Sequence, residues 1–386
     1  MRTMTALHFE PGELPPEAEE LRLEVRDFLA EAMATVSVDL RARNWTAWNS
    51  EFSRKLGKRG WIGMTWPKEY GGSERSFLER YVLLEELLAA GAPVGFHWIA
   101  DRQSGPLILR FGTEEQRKSI LPGITRGETA FGIGMSEPNS GSDLASVRTK
   151  ATKVDGGYLI NGSKIWTSGA HMANYLVALF RTSSSDEDRH NGLTQFLVDM
   201  KNTGGIDVRP IHNMTGDHDF NQVFFEDAFI PDTMRVGNEG DGWKQVTTEL
   251  AFERSGPERY LSSFPLVKEV VGEARQDPSE REAIGIGRMI ARAATFREMS
   301  LSVSGMLEAG KNPNIEAAVM KELGVGFEQK IPGMAHDLFG SSPRLSHGSD
   351  FETTMAYITQ ANVSFSLRGG TREIVRGIIA RGLGMR

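Results

Sequence analysis

Four short segments place side chains at spacings that chemistry could use. In "WKQVTTELAFERSGPERY", a helix from about Trp243 puts Val246, Leu250, Glu253 and Arg254 on one face, at spacings of four, seven and eight. A carboxylate and a guanidinium then lie on the stripe that an amphipathic helix turns inward. A Glu in that place needs a partner or a raised pKa, so it is either one half of a structural ion pair or an acid–base group. Pro257 sits four residues after Glu253 and lacks an N–H, which leaves the Glu253 carbonyl without its helical bond. "GIGMSEPNSGSDLASVRTKAT" (Gly132 to Thr152) contains Asn139, Ser140, Gly141 and Ser142, whose N–H groups and hydroxyls could meet an anionic or heteroaromatic ligand. An ordinary β-turn has the same composition. "INGSKIWTSGAHMANY" sets Trp166 beside Thr167 and Ser168, an indole flanked by hydroxyls that suits a flat polar ring system or a plain strand with a half-buried Trp. Finally, "SFSLRGGTREIVRGIIARGLG" (Ser364 to Gly384) puts Gly369 and Gly370 ahead of a helix that Thr371 would cap. Paired glycines there either bring backbone N–H groups close to a ligand or form a turn.

The elements that must position these groups follow from periodicity. Leu21, Val25, Phe28, Leu29 and Met33 recur at helical spacing, as do Trp48, Phe52 and Leu56. Thr113 followed by Gln116 is a capping-box pattern. From near residue 130 to about 235, strand-like runs such as "NYLVALF" and "LTQFLVDM" alternate with turn residues, and "VDGGYLING" reads as a hairpin. Helical spacing returns with Ile286, Ile290, Ala293 and Phe296, then Met320, Leu323 and Phe327. A β segment between helical blocks implies an α+β fold: a helical domain over 1–130, a β domain over 131–240 and a helical bundle over 241–386. No G-x-G-x-x-G follows a strand, which leaves no support for a Rossmann site.

Composition bounds the rest. The 386 residues, 39% hydrophobic and 25% charged, suit a soluble protein of two or three domains. No apolar run approaches the roughly 18 residues of a membrane span, and the start has no secretory or mitochondrial character. With no cysteine, thiolate catalysis, disulfides and zinc–thiolate sites are excluded, in keeping with a cytoplasmic protein. The net charge of −7 argues against a general nucleic-acid binder. The eight scattered histidines include no H-E-x-x-H pair, so no metal is expected.

Together with "GWIGMTWPKEYGG", "FGTEEQRKSILPGITRGE" and "FFEDAFIPDTMRVGNEGDGW", these segments, in this order, resemble the acyl-CoA dehydrogenase family over nearly the whole chain. The resemblance implies an N-terminal helical domain, a central β domain and a C-terminal four-helix bundle, with FAD at a subunit interface. By position, Met135 and Ser136 would meet the flavin pyrimidine edge, while Trp166, Thr167 and Ser168 would flank the ring. Ser142 would lie where FAD meets acyl-CoA, and Arg254 would help position the substrate. Thr371 and Glu373 would approach the phosphate and ribose side of FAD. Many members carry the catalytic Glu at the position of Gly369. A smaller group, including isovaleryl-CoA and long-chain acyl-CoA dehydrogenases, keeps a small residue there and places the Glu just before an Arg on the earlier helix. The pair Glu253–Arg254 with Gly369 is similar to that second group, making Glu253 the base and the Gly369 N–H a donor to the thioester oxygen.

Two departures stand out. The Arg-x-x-Phe-Gly element that reaches a neighbour's FAD is replaced by "GEARQDPSEREAIGIGR", and the Gln-x-x-Gly-Gly stretch by "HDLFGSS". Both concern the half-site given to a partner, so either a homotetramer or a mixed tetramer with a related chain is expected. The resulting expectation is α,β-dehydrogenation of an acyl-CoA to a 2,3-enoyl-CoA, with electrons passing to an electron-transfer flavoprotein. A flavin oxidase on the same fold and a subunit with an incomplete FAD site are the alternatives.

Overall fold

The computed structural model describes residues 7–183, 189–253, 256–274, 277–340, 344 and 348–385. The chain packs as two compact units. One comprises Asn49–Glu74 and Phe96–Leu250; the other comprises Met1–Trp48, Arg75–Gly95 and Ala251–Arg386.

The first unit is built on a sheet of eight strands: β1 (Phe131–Gly134), β2 (Lys150–Val154), β3 (Gly157–Ser168), β4 (Tyr175–Arg181), β5 (Leu193–Asp199), β6 (Ile206–Ile211), β7 (Phe220–Pro231) and β8 (Arg235–Val236). Their order is β6-β7-β3-β2-β4-β5-β8, with β1 parallel to β4. The expected hairpin is β2–β3, closed at Val154↔Gly157. β4 and β5 are buried along almost their whole length, which is why they read as unbroken apolar runs rather than alternating ones. β7 alternates, and Val223, Phe225, Ala228 and Ile230 turn into the core with Tyr158, Phe180 and Phe196. The edge strand β6 carries Pro210 and exposed polar residues, which blunt it against further pairing. Helix Glu114–Thr125 starts with the expected Thr113–Gln116 capping box. Buried Gln116 also donates to the carbonyls of Thr233 and Arg235, tying that helix to the sheet's edge. Helix Ser50–Lys58 starts one residue beyond its cap Asn49, so Trp48 precedes it, while Phe52 and Leu56 are buried as their spacing implied.

The second unit is helical. Its helices include Pro16–Ala32, Phe77–Ala89, Glu280–Glu308, Asn314–Glu328, Asp350–Ala361 and Arg372–Gly382. Capping boxes at Ser76/Glu79, Ser279/Glu282 and Ser349/Glu352 start three of them. Leu21, Val25, Phe28 and Leu29 are buried in the first helix. In Glu280–Glu308 the buried stripe runs through Met289, Ala293, Phe296, Ser300 and Val303, so Ile290 faces out. Met320 and Phe327 are buried, while Leu323 is half exposed. No described helix is long and apolar enough to cross a membrane.

Candidate functional site

Within the sheet unit the geometry centres on the end of β3. Register against β7 steps from Lys164↔Val223 to Thr167↔Asn221, so β3 carries one extra residue there. That bulge re-aims a side chain. Trp166 takes φ +59°, a strained conformation for a bulky residue. Its indole is 57% exposed and meets Phe220 edge-on at 6.0 Å. Next to it, the Thr167 hydroxyl is fully buried and has no hydrogen-bond partner in the described chain.

The loop after β1 is fastened to this place. Lys164 is fully buried; its Nζ donates to the Met135 carbonyl (3.1 Å) and to Glu137 Oε1 (2.8 Å). The Glu137 carboxylate also accepts from the N–H groups of Arg148 (2.7 Å) and Thr149 (2.8 Å). Burial alone would raise the Glu137 pKa, but the Lys164 charge and these donors hold it below the usual carboxylate value. Burial pushes Lys164 down to about 8 against the pull of Glu137. Ile165 N–H donates to the Ser136 carbonyl (2.9 Å). Glu137 and Ser140 bridge each other's backbone, leaving Ser142 exposed on the turn.

Helix Gly242–Glu253 begins in the sheet unit, where Val246 is buried with Leu179 and Leu193, and its last three residues belong to the helical unit. Arg254 and the side chains of Leu250 and Glu253 lie outside the described residues. Gly369 and Gly370 have φ +63° and +94°, a region that only glycine enters without strain. The turn is braced by the helix Asn314–Glu328: buried Lys321 donates to the Gly370 carbonyl. Arg368 lies over the rings of Phe365 (4.0 Å) and Trp45 (4.6 Å) and donates to Glu328 (3.5 Å). Thr371 caps helix Arg372–Gly382 by accepting from Ile374 N–H (3.5 Å), and Glu373 lies in its first turn, its pKa lowered by the backbone donor there.

Comparison with known proteins decides the family. The acyl-CoA dehydrogenase N-terminal domain model matches residues 15–128, and the middle domain model matches 132–228. "Acyl-CoA dehydrogenase FadE26" of Mycobacterium tuberculosis is 32% identical over 390 residues, covering 94% of this chain and 96% of that one. The chain belongs to the acyl-CoA dehydrogenase family. Among solved structures, "Tcur3481-Tcur3483 steroid ACAD" superposes with TM-score 0.87 at 30% identity, covering 97% of this chain and 99% of that one. The ChsE4-ChsE5 complex from Mycobacterium tuberculosis gives 0.83 at 29% identity, covering 95% and 97%. The chain is thus an oxidoreductase of this family, with the family's N-terminal helical domain, central β domain and helical C-terminal region.

Acyl-CoA dehydrogenases are flavoproteins, and residues of this chain fit that cofactor. An exposed indole with the half-buried Ser168 hydroxyl two residues on supplies a face for a flat ring and a hydrogen-bonding atom to meet its edge. Of the residues singled out in the sequence, the sheet unit brings together Met135, Ser136, Trp166, Thr167 and Ser168. Gly369, Thr371 and Glu373 follow one another in the helical unit. The buried pair Lys164–Glu137 was present in the quoted segments, but only the three-dimensional pairing gives it meaning. Among the described residues, no group of three or more His, Cys, Asp or Glu could hold a metal.

Proposed function

We propose that this chain dehydrogenates an acyl-CoA across its α and β carbons, with Glu253 as the base. The observation that carries the reading is the exposed Trp166 indole at the β3 bulge with the half-buried Ser168 two residues on, in a family of flavoproteins. FAD, when bound, supplies an acceptor for the hydride that leaves the β carbon. Trp166 and Ser168 would flank its ring, with Thr167 between them in the strand, and Met135 and Ser136 would meet the pyrimidine side. Thr371 and Glu373 lie toward its phosphate and ribose. The carboxylate of Glu253 takes the α-proton, and Arg254 orients it. As the proton leaves, negative charge grows on the thioester oxygen, and the Gly369 N–H donates to it. The left-handed Gly369–Gly370 turn is in keeping with this role, since φ +63° at 369 favours a residue that has no side chain. Ser142 closes the site between the ring and the thioester.

Domain limits near 130 and 240, a cytoplasmic location and an electron-transfer flavoprotein as acceptor complete the reading. A mixed tetramer is favoured over a homotetramer by the two missing donated elements, and the similar Tcur3481-Tcur3483 and ChsE4-ChsE5 structures are each named for two different chains. The former is a "steroid ACAD", which makes polycyclic acyl-CoAs the first substrates to screen.

The test is Glu253→Gln, which keeps shape and removes the basic oxygen. Flavin reduction by substrate should fall about 10²- to 10⁴-fold, as for loss of a general base, with FAD content unchanged. Near-wild-type reduction would assign the proton to another group.

A further inference from the structure

Asn221 sits opposite the bulge, fully buried, at the Thr167↔Asn221 pair of β3 and β7. Its Nδ2 donates to the Thr167 carbonyl (3.0 Å) and lies 3.2 Å from His171 Nδ1, while its Oδ1 lies 2.7 Å from His218 Nε2. These three contacts fix one another. A carbonyl can only accept, so the atom facing Thr167 must be the amide nitrogen. Its second hydrogen then points at His171, whose Nδ1 must carry no proton. The amide oxygen is left for His218, whose Nε2 must carry one. The two imidazoles stack at 3.8 Å and 15°, an arrangement that disfavours two positive rings.

Resting on the flavin-site reading above, we propose that Asn221 is a positioning residue for the Trp166–Thr167 bulge, and that it holds the bulge only while His171 is neutral. Protonation of His171 at Nδ1 sets an N–H against the amide hydrogens. The amide must then turn its oxygen toward His171, with His218 shifting its proton to Nδ1 so that Nε2 accepts from the amide nitrogen, and the Thr167 carbonyl loses its donor. That carbonyl belongs to the Thr167–Ser168 peptide, next to the strained Trp166, so the two residues that face the ring loosen together. The groups facing this cluster are His218 and His212 (5.6 Å from His218), with Asp217 and Asp219 on the same loop. Asp219 accepts from Asn213 and Asp217 from Thr215, within that loop. Partial burial, and His218 after it, keep the His171 pKa below the ordinary histidine value. The bulge is therefore held at neutral pH and released in acid.

The experiment is amide hydrogen exchange of the full chain without cofactor, read by mass spectrometry over residues 164–170 from about pH 8 to about pH 5.5, either side of the ordinary histidine value. Rates are corrected for intrinsic exchange. Protection should fall about three- to tenfold in the wild type, the size of one buried hydrogen bond. It should stay flat in His171→Gln and be low at every pH in Asn221→Ala. In parallel, FAD affinity of the chain in its native complex should weaken in acid in the wild type and not in His171→Gln. Equal wild-type protection at both ends of the range, or the same fall in His171→Gln, overturns the proposal. If no FAD binds at any pH, the flavin reading fails, and the exchange of the cofactor-free chain still decides the role of Asn221.

Discussion

The Thr167 hydroxyl is buried without a partner, and a buried polar group in that state costs stability. Replacing it with the isosteric Val removes that cost. Thr167→Val should therefore leave the cofactor-free protein as stable or up to about 1 kcal/mol more stable, because an unmet polar group has been removed. Ser168, half-buried beside the exposed Trp166, has the hydroxyl open to a ligand, so Ser168→Ala should weaken FAD binding or slow flavin reduction by about tenfold, the worth of one hydrogen bond to a ligand. A urea melt of the cofactor-free chain and a flavin titration read the two effects. Lower stability in Thr167→Val would contradict the first expectation, and unchanged flavin behaviour in Ser168→Ala the second. The type and order of Trp166, Thr167 and Ser168 were legible in the sequence. The positive φ at Trp166 was not, because it comes from one extra residue in β3 measured against β7. Asn221 lies 54 residues from Thr167, and no local pattern links the two.

At the scale of elements, two buried ionic groups hold the site's backbone. Lys164 on β3 and Glu137 on the loop after β1 are 0% and 9% exposed and 2.8 Å apart. Glu137→Gln leaves an ammonium buried with a weaker partner and should destabilise the sheet unit by about 3–5 kcal/mol, the usual cost of breaking such a pair. A thermal shift within a degree of wild type would contradict that. Glu328 braces the Gly369 turn through Arg368 and accepts from Ser262 N–H at 2.5 Å. Burial raises its pKa to about 7, outweighing Arg368 and Ser262. An unfolded Glu titrates near about 4.3, so between these values the folded chain keeps a proton that the unfolded chain has lost. Its contribution is complete below the unfolded pKa and is lost as pH rises through about 7. Wild type should thus lose stability relative to Glu328→Gln by about 1.4 kcal/mol per pH unit across that window. A difference that does not vary with pH would show that Glu328 is ionised throughout. Period and capping signals read out the helices and strands because those signals are local. The bracing of the glycine turn was hidden, since Lys321 and Glu328 look like solvent-facing charges until their helix is packed.

For the whole molecule, the sequence displayed the three-part order and the family, while the partner question turns on the missing donated elements. If a related chain completes the cofactor site, FAD should be retained weakly by this chain alone and tightly when the two are co-expressed. The thermal midpoint should then rise with FAD only in the mixed assembly, by mass action. A homo-oligomer holding one tight FAD per chain would remove the mixed-complex reading and leave the chemistry standing. That chemistry is tested most directly by mixing the flavin-loaded native assembly with acyl-CoAs, polycyclic ones included, in the absence of oxygen. The account predicts that at least one of them bleaches the visible flavin absorbance and yields one 2,3-enoyl-CoA per flavin. A flavin that stays oxidised with every acyl-CoA, in an assembly that binds them, would contradict it.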